Sequence, residues 1–320
     1  MIRSRRRFLW LATGGVALSS RAWAESYPAR PVRLIVPMAP GTSPDAIARL
    51  FCQWLSQRLG QSFFVENRPG AGLNLATEVV VRAPADGYTI LLSSLTNAVN
   101  ATLYDNLSFN FIRDIVPVAF IGDNAFVMVV TPSLPAKTVP EFIAYARANP
   151  GKINMASGGN GSAPHVFGEL FKEMAGVDLV HVPYRSSFYP DLFSGQVQVA
   201  FTAIAGSLAF LKDGKMHALA VTTANRSGVL PDVPAIGEFV PGYEASAWLG
   251  MGAPKDTPAE IIATLNREIN AIASEPEIKT RLAGLGIEPR PMTPAALSRF
   301  IASETDKWAQ VVRVAHIKVD

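Results

Sequence analysis

The chain has 320 residues, 49% of them hydrophobic and 17% charged, with 29 basic against 26 acidic side chains. That composition excludes a disordered or collagen-like chain, and the length suffices for two folding units. The positive excess is local: five arginines and no acid fall in residues 1–24, leaving 24 basic and 26 acidic side chains beyond them, which removes the electrostatic argument for nucleic-acid binding.

Residues 1–24 read as an export signal. Arg3, Arg5, Arg6 and Arg7 precede an apolar stretch over 8–18, and Ala22-Trp23-Ala24 offers a cleavage site after Ala24. Ser4-Arg5-Arg6-Arg7-Phe8-Leu9 fits the twin-arginine pattern, with ordinary Sec export as the other route. No later apolar run reaches about 18 residues, which argues against a membrane span. The single Cys52 cannot form an intramolecular disulfide and reads as a small buried hydrophobe.

Residues 33–36 form a short β-rich run, 37–44 are dense in Pro, Gly, Ser and Thr, and Ile47, Leu50, Phe51, Trp54, Leu55 and Leu59 recur at helical spacing. This predicts strand, loop and helix, with the helix's orphan N–H groups and positive dipole end placed at the strand's end, an arrangement that suits a small anion. A strand over 63–66, a helix over 75–82 and a strand over 88–92 follow, the last ending in Ser93, Ser94, Thr96 and Asn97. A second series begins near Phe126, with strands over 127–131, 153–156, 179–182, 197–201 and 216–222. Its helices are predicted over 138–148, where Thr138 and Glu141 make a capping pair, and over 164–174, with Val166, Phe167, Leu170, Phe171 and Met174 on one face. Residues 243–253 read as a strand, and 258–273, 277–285 and 293–316 as three helices without a new strand between them. Strands alternating with helices argue an α/β fold with mainly parallel sheets.

Catalytic chemistry finds little support. The four histidines, His165, His181, His217 and His316, lack metal-ligand spacing, and no cysteine cluster accompanies them, so no metal or other cofactor is expected. Gly158-Gly159-Asn160-Gly161-Ser162 is neither a Walker A loop nor a nucleophile elbow. A hydrolase would use Ser162 as nucleophile and His165 as base, but no acid is evident to orient the imidazole. Binding asks for less. The loops over 37–45 and 157–164 both offer hydroxyls and free N–H groups ahead of a helix, and facing each other they would chelate a carboxylate. Arg185 could meet a second carboxylate or be a solvated loop residue; Asp45 reads as a cap before a ligand contact, and Tyr184 and Trp248 as core before pocket wall.

With these residues in view, the chain resembles the tripartite tricarboxylate transporter substrate-binding family, the Bug receptors, from about Tyr27 to Asp320. The carriers are Tyr27-Pro28-Ala29-Arg30-Pro31, Leu34-Ile35-Val36-Pro37 with Pro40-Gly41 and Asp45, and Val65-Glu66-Asn67-Arg68-Pro69-Gly70-Ala71-Gly72 with Asn74. Asp86-Gly87-Tyr88-Thr89, Ala156-Ser157-Gly158-Gly159-Asn160-Gly161-Ser162 with His165, His181-Val182-Pro183-Tyr184 and Leu230-Pro231-Asp232-Val233-Pro234 continue the series. The resemblance implies a monomeric, periplasmic, two-domain binding protein of the Venus-flytrap, type II-like kind, with each domain a mainly parallel sheet flanked by helices. Domain 1 would comprise 25–125 and 247–320, domain 2 would comprise 126–246, and the crossings near 124–126 and 243–248 would act as the hinge. It implies no catalysis, a small organic mono- or dicarboxylate as ligand, and a membrane permease as partner, or a sensory role without one. By similarity the ligand site falls on Met38, Ala39, Gly41, Thr42, Ser93, Asn97, Ser157, Asn160, Gly161, Ser162, His165, Arg185 and Thr202.

The chain departs from the family pattern where the ligand would lie. The common Pro-Phe-x-Pro-Gly-Gly loop is Pro37-Met38-Ala39-Pro40-Gly41-Thr42, the usual Tyr-Lys-Gly is Tyr184-Arg185-Ser186, and a frequent aspartate is Thr202. Losing that acid removes a partner for a ligand ammonium, so a plain carboxylate is expected before an amino acid.

Overall fold

The computed structural model describes residues 27–319; the export signal, its twin-arginine pattern and its cleavage site lie outside them. In chain order the first part is β1 (Val32–Val36), α1 (Ser43–Leu59), β2 (Phe63–Asn67), α2 (Asn74–Val81), β3 (Thr89–Ser94), α3 (Leu95–Leu103), α4 (Phe111–Asp114) and β4 (Ile115–Asn124). Then come β5 (Phe126–Val130), α5 (Val139–Ala148), β6 (Asn154–Ser157), α6 (Ala163–Ala175), β7 (Val180–Pro183), α7 (Tyr189–Ser194), β8 (Val199–Ala203), α8 (Ile204–Lys212) and β9 (His217–Val221). The last part is β10 (Ala247–Pro254), α9 (Ala259–Ser274), α10 (Pro276–Gly284), β11 (Ile287–Pro289) and α11 (Pro294–Val314).

Two sheets result, in the orders β11-β4-β10-β3-β1-β2 and β7-β6-β8-β5-β9. The α/β class is as expected, but the sheets are mixed. Parallel pairing is confined to β1 with β2 and β3, and to β6 with β7 and β8. β10 runs antiparallel to β3 and β4, β11 to β4, and β5 to β8 and β9. The reason lies in how the chain changes sheet. Only Ala125 separates β4 from β5, so the chain passes from the first sheet into the second without a crossover helix, and β5 then runs antiparallel to both of its neighbours. β10 in the first sheet and β5 in the second thus occupy the same slot, next to β3 and β8.

Several elements carry little local signal in the sequence. α3 follows Ser94 and α8 follows Ala203 with no turn residue between strand and helix, so no punctuation marks the change of period. β4 carries Pro117 and Gly122, both poor strand signals. β11 is three residues long and interrupts the expected run of C-terminal helices. The predicted strand over 243–253 begins only at Ala247; Ala245 N–H instead bonds Thr222 C=O at 2.8 Å, carrying the chain between sheets.

Each face of the first sheet is covered. Ile47, Phe51 and Leu55 of α1 are fully buried beside Leu265, Ile269 and Ile272 of α9, each such side chain contributing about 1.5–3 kcal/mol. Cys52 lies in this cluster, and burial pushes its thiol up to about 12, as befits a packing residue. Met174, expected on the apolar face of α6, is instead exposed. A second cluster joins the sheets: Phe126 meets Phe167 edge-on at 5.2 Å, and Phe167 meets Trp308 at 5.5 Å. Buried Glu304 accepts both indole N–H groups, from Trp248 at 3.3 Å and Trp308 at 2.8 Å, and pairs with Lys307. Trp248 therefore serves the core and, at one edge, the cleft described next.

Candidate functional site

Three helices begin at one cleft. Ser43, Leu95 and Ala163, the first residues of α1, α3 and α6, all line a cavity of about 130 Å³ that Asn124 and Trp248 line as well. Among the described residues, no charged side chain lines it. Each helix N-terminus carries unpaired N–H groups and about half a positive charge, an arrangement that suits an anion.

The loops ahead of α1 and α6 are the same structure built twice. In Gly41-Thr42-Ser43-Pro44-Asp45, Gly41 has φ +83° and its N–H bonds Asp45 Oδ2 at 2.9 Å, while the Thr42 hydroxyl donates back to Ala39 C=O at 2.8 Å. In Gly161-Ser162-Ala163-Pro164-His165, Gly161 has φ +72° and its N–H bonds His165 Nδ1 at 3.1 Å, while the Ser162 hydroxyl donates back to Gly159 C=O at 2.7 Å. Left-handed φ at both positions suits glycine. Thr42 and Ser162 hold the N-cap positions, yet neither hydroxyl caps its helix. Since each second helical residue is proline, the donors left at each first turn are the N–H groups of residues one and three. The residue-by-residue equivalence is in the sequence, but the backward-facing hydroxyls that give it meaning are not.

A neighbouring strand supports each loop. Asn67, at the end of β2, donates to both Met38 C=O at 3.0 Å and Asp45 Oδ1 at 2.8 Å, and Arg49 bonds Asp45 Oδ2 at 3.0 Å. Burial of Asp45 opposes its ionisation, but the bonds from Arg49, Gly41 and Asn67 outweigh it and hold the carboxyl at about 2. On the other side, His181 of β7 bonds the buried Ser157 hydroxyl at 2.6 Å and stacks on His165 with centroids 3.6 Å apart. Burial, then the neighbouring His165, pushes His181 down to about 4. Despite its burial, Glu169 is held below the usual carboxylate range by His165 and Lys172.

The expected ligand residues fall into distinct positions. Met38 lines the cleft directly, whereas Ala39, Gly41 and Thr42 shape the first loop and Ser157, Gly161, Ser162 and His165 the second. Gly161 is packed so closely on α3 that a Cβ there would overlap Leu103. The Asn160 amide donates to Lys318 C=O at 3.1 Å. Asn97 is consumed internally, donating to Thr77 Oγ1 and accepting from Ser94 N–H, both at 2.9 Å. Ser93 faces a different small cavity beside Phe111 and Ile301, because successive strand residues point to opposite faces. Arg185 is exposed in the loop after β7, and the Thr202 hydroxyl pairs with Tyr189 OH at 2.8 Å.

The strand alternation that turns Ser93 away turns Ser94 in. Ser94 is 6% exposed, lines the cleft, and its hydroxyl has no hydrogen-bond partner. Asn124 Oδ1, at the crossing, is likewise buried and unpartnered. Sequence reasoning missed both, because which of two adjacent serines faces the cleft is set by how β3 seats between its neighbouring strands. The hydrolase pair is not formed, since the Ser162 hydroxyl and His165 Nδ1 are bonded to separate backbone groups.

Known proteins resemble this chain along most of its length. A family profile described as "Tripartite tricarboxylate transporter family receptor" matches residues 47–317. Protein BugT of Bordetella pertussis is 36% identical over 316 residues, covering 97% of this chain and 96% of BugT. An R. palustris structure solved with adipate is 35% identical with a TM-score of 0.79, covering 91% of this chain and 99% of its own. MatC from Rhodopseudomonas palustris with bound malate is 31% identical with a TM-score of 0.75, covering 89% of this chain and all of its own. The chain therefore belongs to the tripartite tricarboxylate transporter receptor family.

Proposed function

We propose that this chain is a periplasmic solute receptor that captures a small organic mono- or dicarboxylate between its two sheets and presents it to a tripartite tricarboxylate-type permease. The observation that carries this reading is the convergence of three helix N-termini on a cleft without charged side chains, where the buried Ser94 hydroxyl has no partner. A carboxylate placed there would accept from the N–H groups of α1 and α6 and from Ser94, without the desolvation cost of a buried cation. Adipate and malate, held by two relatives, set the size of the expected ligand. In this reading residues 1–24 direct export, residues 25–125 with 247–320 close against 126–246 about the crossings at Ala125 and near Ser246, and no bond of the ligand is broken.

A thermal-shift screen of the mature protein with aliphatic and aromatic mono- and dicarboxylates tests the reading, because a native-state ligand at 100 times its Kd adds about 2.7 kcal/mol to apparent stability. The expected result is a rise of several degrees with at least one carboxylate and none with its amide. No shift with any carboxylate, or turnover of one, would overturn it.

A further inference from the structure

The doubled loop carries an assignment that rests on the receptor reading and goes past it. We propose that Asp45 and His165 are equivalent positioning residues, each an acceptor that holds the N–H of a left-handed glycine four residues back, so that the first-turn donors of its helix stay directed at the cleft. The equivalence extends outward. Each acceptor has a partner one helical turn on, Arg49 for Asp45 at 3.0 Å and Glu169 for His165 at 3.7 Å. Each also has a partner on the neighbouring parallel strand, Asn67 on β2 and His181 on β7.

Both inner side chains are buried, Asp45 at 3% and His165 at 5% exposure. They reach one residue further back than the third residue of a capping box does. Gly41 and Gly161 N–H are therefore spent on the protein, and residues 43 and 163 are left to meet an anion. The two loops also solve one electrostatic problem in two ways. Asp45 carries a charge beside the anion site, and Arg49 offsets it. His165 accepts from Gly161 N–H at Nδ1, which places its proton on Nε2 toward Glu169. Its surroundings, His181 across the stack and Glu169 and Lys172 along α6, support that tautomer: Glu169 faces the Nε2 proton, and Lys172 offsets Glu169.

The requirement is thus an acceptor of the right reach, not an imidazole. His165→Asn places a carbonyl oxygen where Asp45 places a carboxylate oxygen in the twin loop; His165→Ala places none. Amide hydrogen exchange followed by NMR reads the bond without any ligand. Gly161 N–H should be protected in the wild type, exchange at least 10-fold faster in His165→Ala, and recover most of its protection in His165→Asn. Titration with adipate and malate is the second arm: His165→Ala should weaken whichever carboxylate binds by at least 10-fold, with His165→Asn within a few-fold of wild type. Equal Gly161 exchange in wild type and His165→Ala, or an asparagine variant that behaves as the alanine one, would overturn the assignment. Should His165→Ala fail to fold, the imidazole nitrogen signals of the wild type decide, because a protonated Nδ1 at neutral pH contradicts the bond. Absence of binding by both carboxylates bears on the receptor reading alone, since the exchange arm still decides this one.

Discussion

His165 of α6 and His181 of β7 stack face to face, their planes 6° from parallel. Two imidazolium rings at that spacing would repel. Burial and the neighbouring ring put His181 at about 4 in the folded state against an ordinary value of 6.5. Between those values the unfolded chain binds more protons than the folded one, so stability is fully present above about pH 6.5 and falls as pH drops toward 4. Because the ring is only half-buried and solvent screens it, the loss stays well below the roughly 3 kcal/mol of the full shift. Urea unfolding at pH 7 and pH 4.5 should show the loss, and His181→Gln should flatten it; an equal slope in both proteins would remove His181 as the cause.

Ser94→Ala separates binding from folding. The hydroxyl is buried without a hydrogen-bond partner among the described residues, so its removal should leave stability unchanged or raise it by up to about 1 kcal/mol. Carboxylate affinity should nevertheless fall about 10-fold, a lost hydrogen bond to a charged group. Calorimetry and thermal melts on one preparation check both signs, and a variant that loses stability but keeps affinity would place Ser94 in the scaffold alone.

Glu304 ties β10 to α11 through the indoles of Trp248 and Trp308. Glu304→Ala leaves two buried N–H groups unpaired and should cost about 2–4 kcal/mol. The expected readout is a lower urea midpoint with an unchanged slope.

Thr42 departs from the family's glycine and donates to Ala39 C=O without capping α1. Thr42→Gly should therefore cost only a few tenths of a kcal/mol, yet free the loop enough to reorder affinities within the carboxylate screen. Thr42→Ser, which keeps the donor, should preserve the wild-type order. An unaltered order in Thr42→Gly would take this loop out of the selectivity argument.

Gly122 on β4 lies against the backbone of Glu288 in β11, and a Cβ there would overlap the Glu288 carbonyl. Because the neighbour is backbone, it cannot rotate away. Gly122→Ala should shift β11 and destabilise the protein by about 1–3 kcal/mol, measurable as a fall in melting temperature.

Much of this protein is determined locally. The amphipathic helices α1, α6 and α9, the strands ahead of them, the glycine-bearing loops and the family motifs are set by residues a few positions apart, so periodicity and turn chemistry expose them. What local pattern cannot carry is pairing between distant segments. Which of two adjacent serines faces the cleft depends on how β3 seats between β1 and β10, and one step of register reverses the answer. The sheets proved mixed because β10 pairs antiparallel with β3 and β4, and β5 with β8 and β9, a fact of topology and not of propensity. His165 and Ser162, three residues apart, suggested a hydrolase pair, but His165 is committed to Gly161 and His181, and Ser162 to Gly159. Sequence alone thus determined that two loops precede two helices. Only the tertiary structure decided that those helices, with α3 as a third, begin at one cleft, because their first residues, Ser43, Leu95 and Ala163, are far apart in the chain and no local pattern links them.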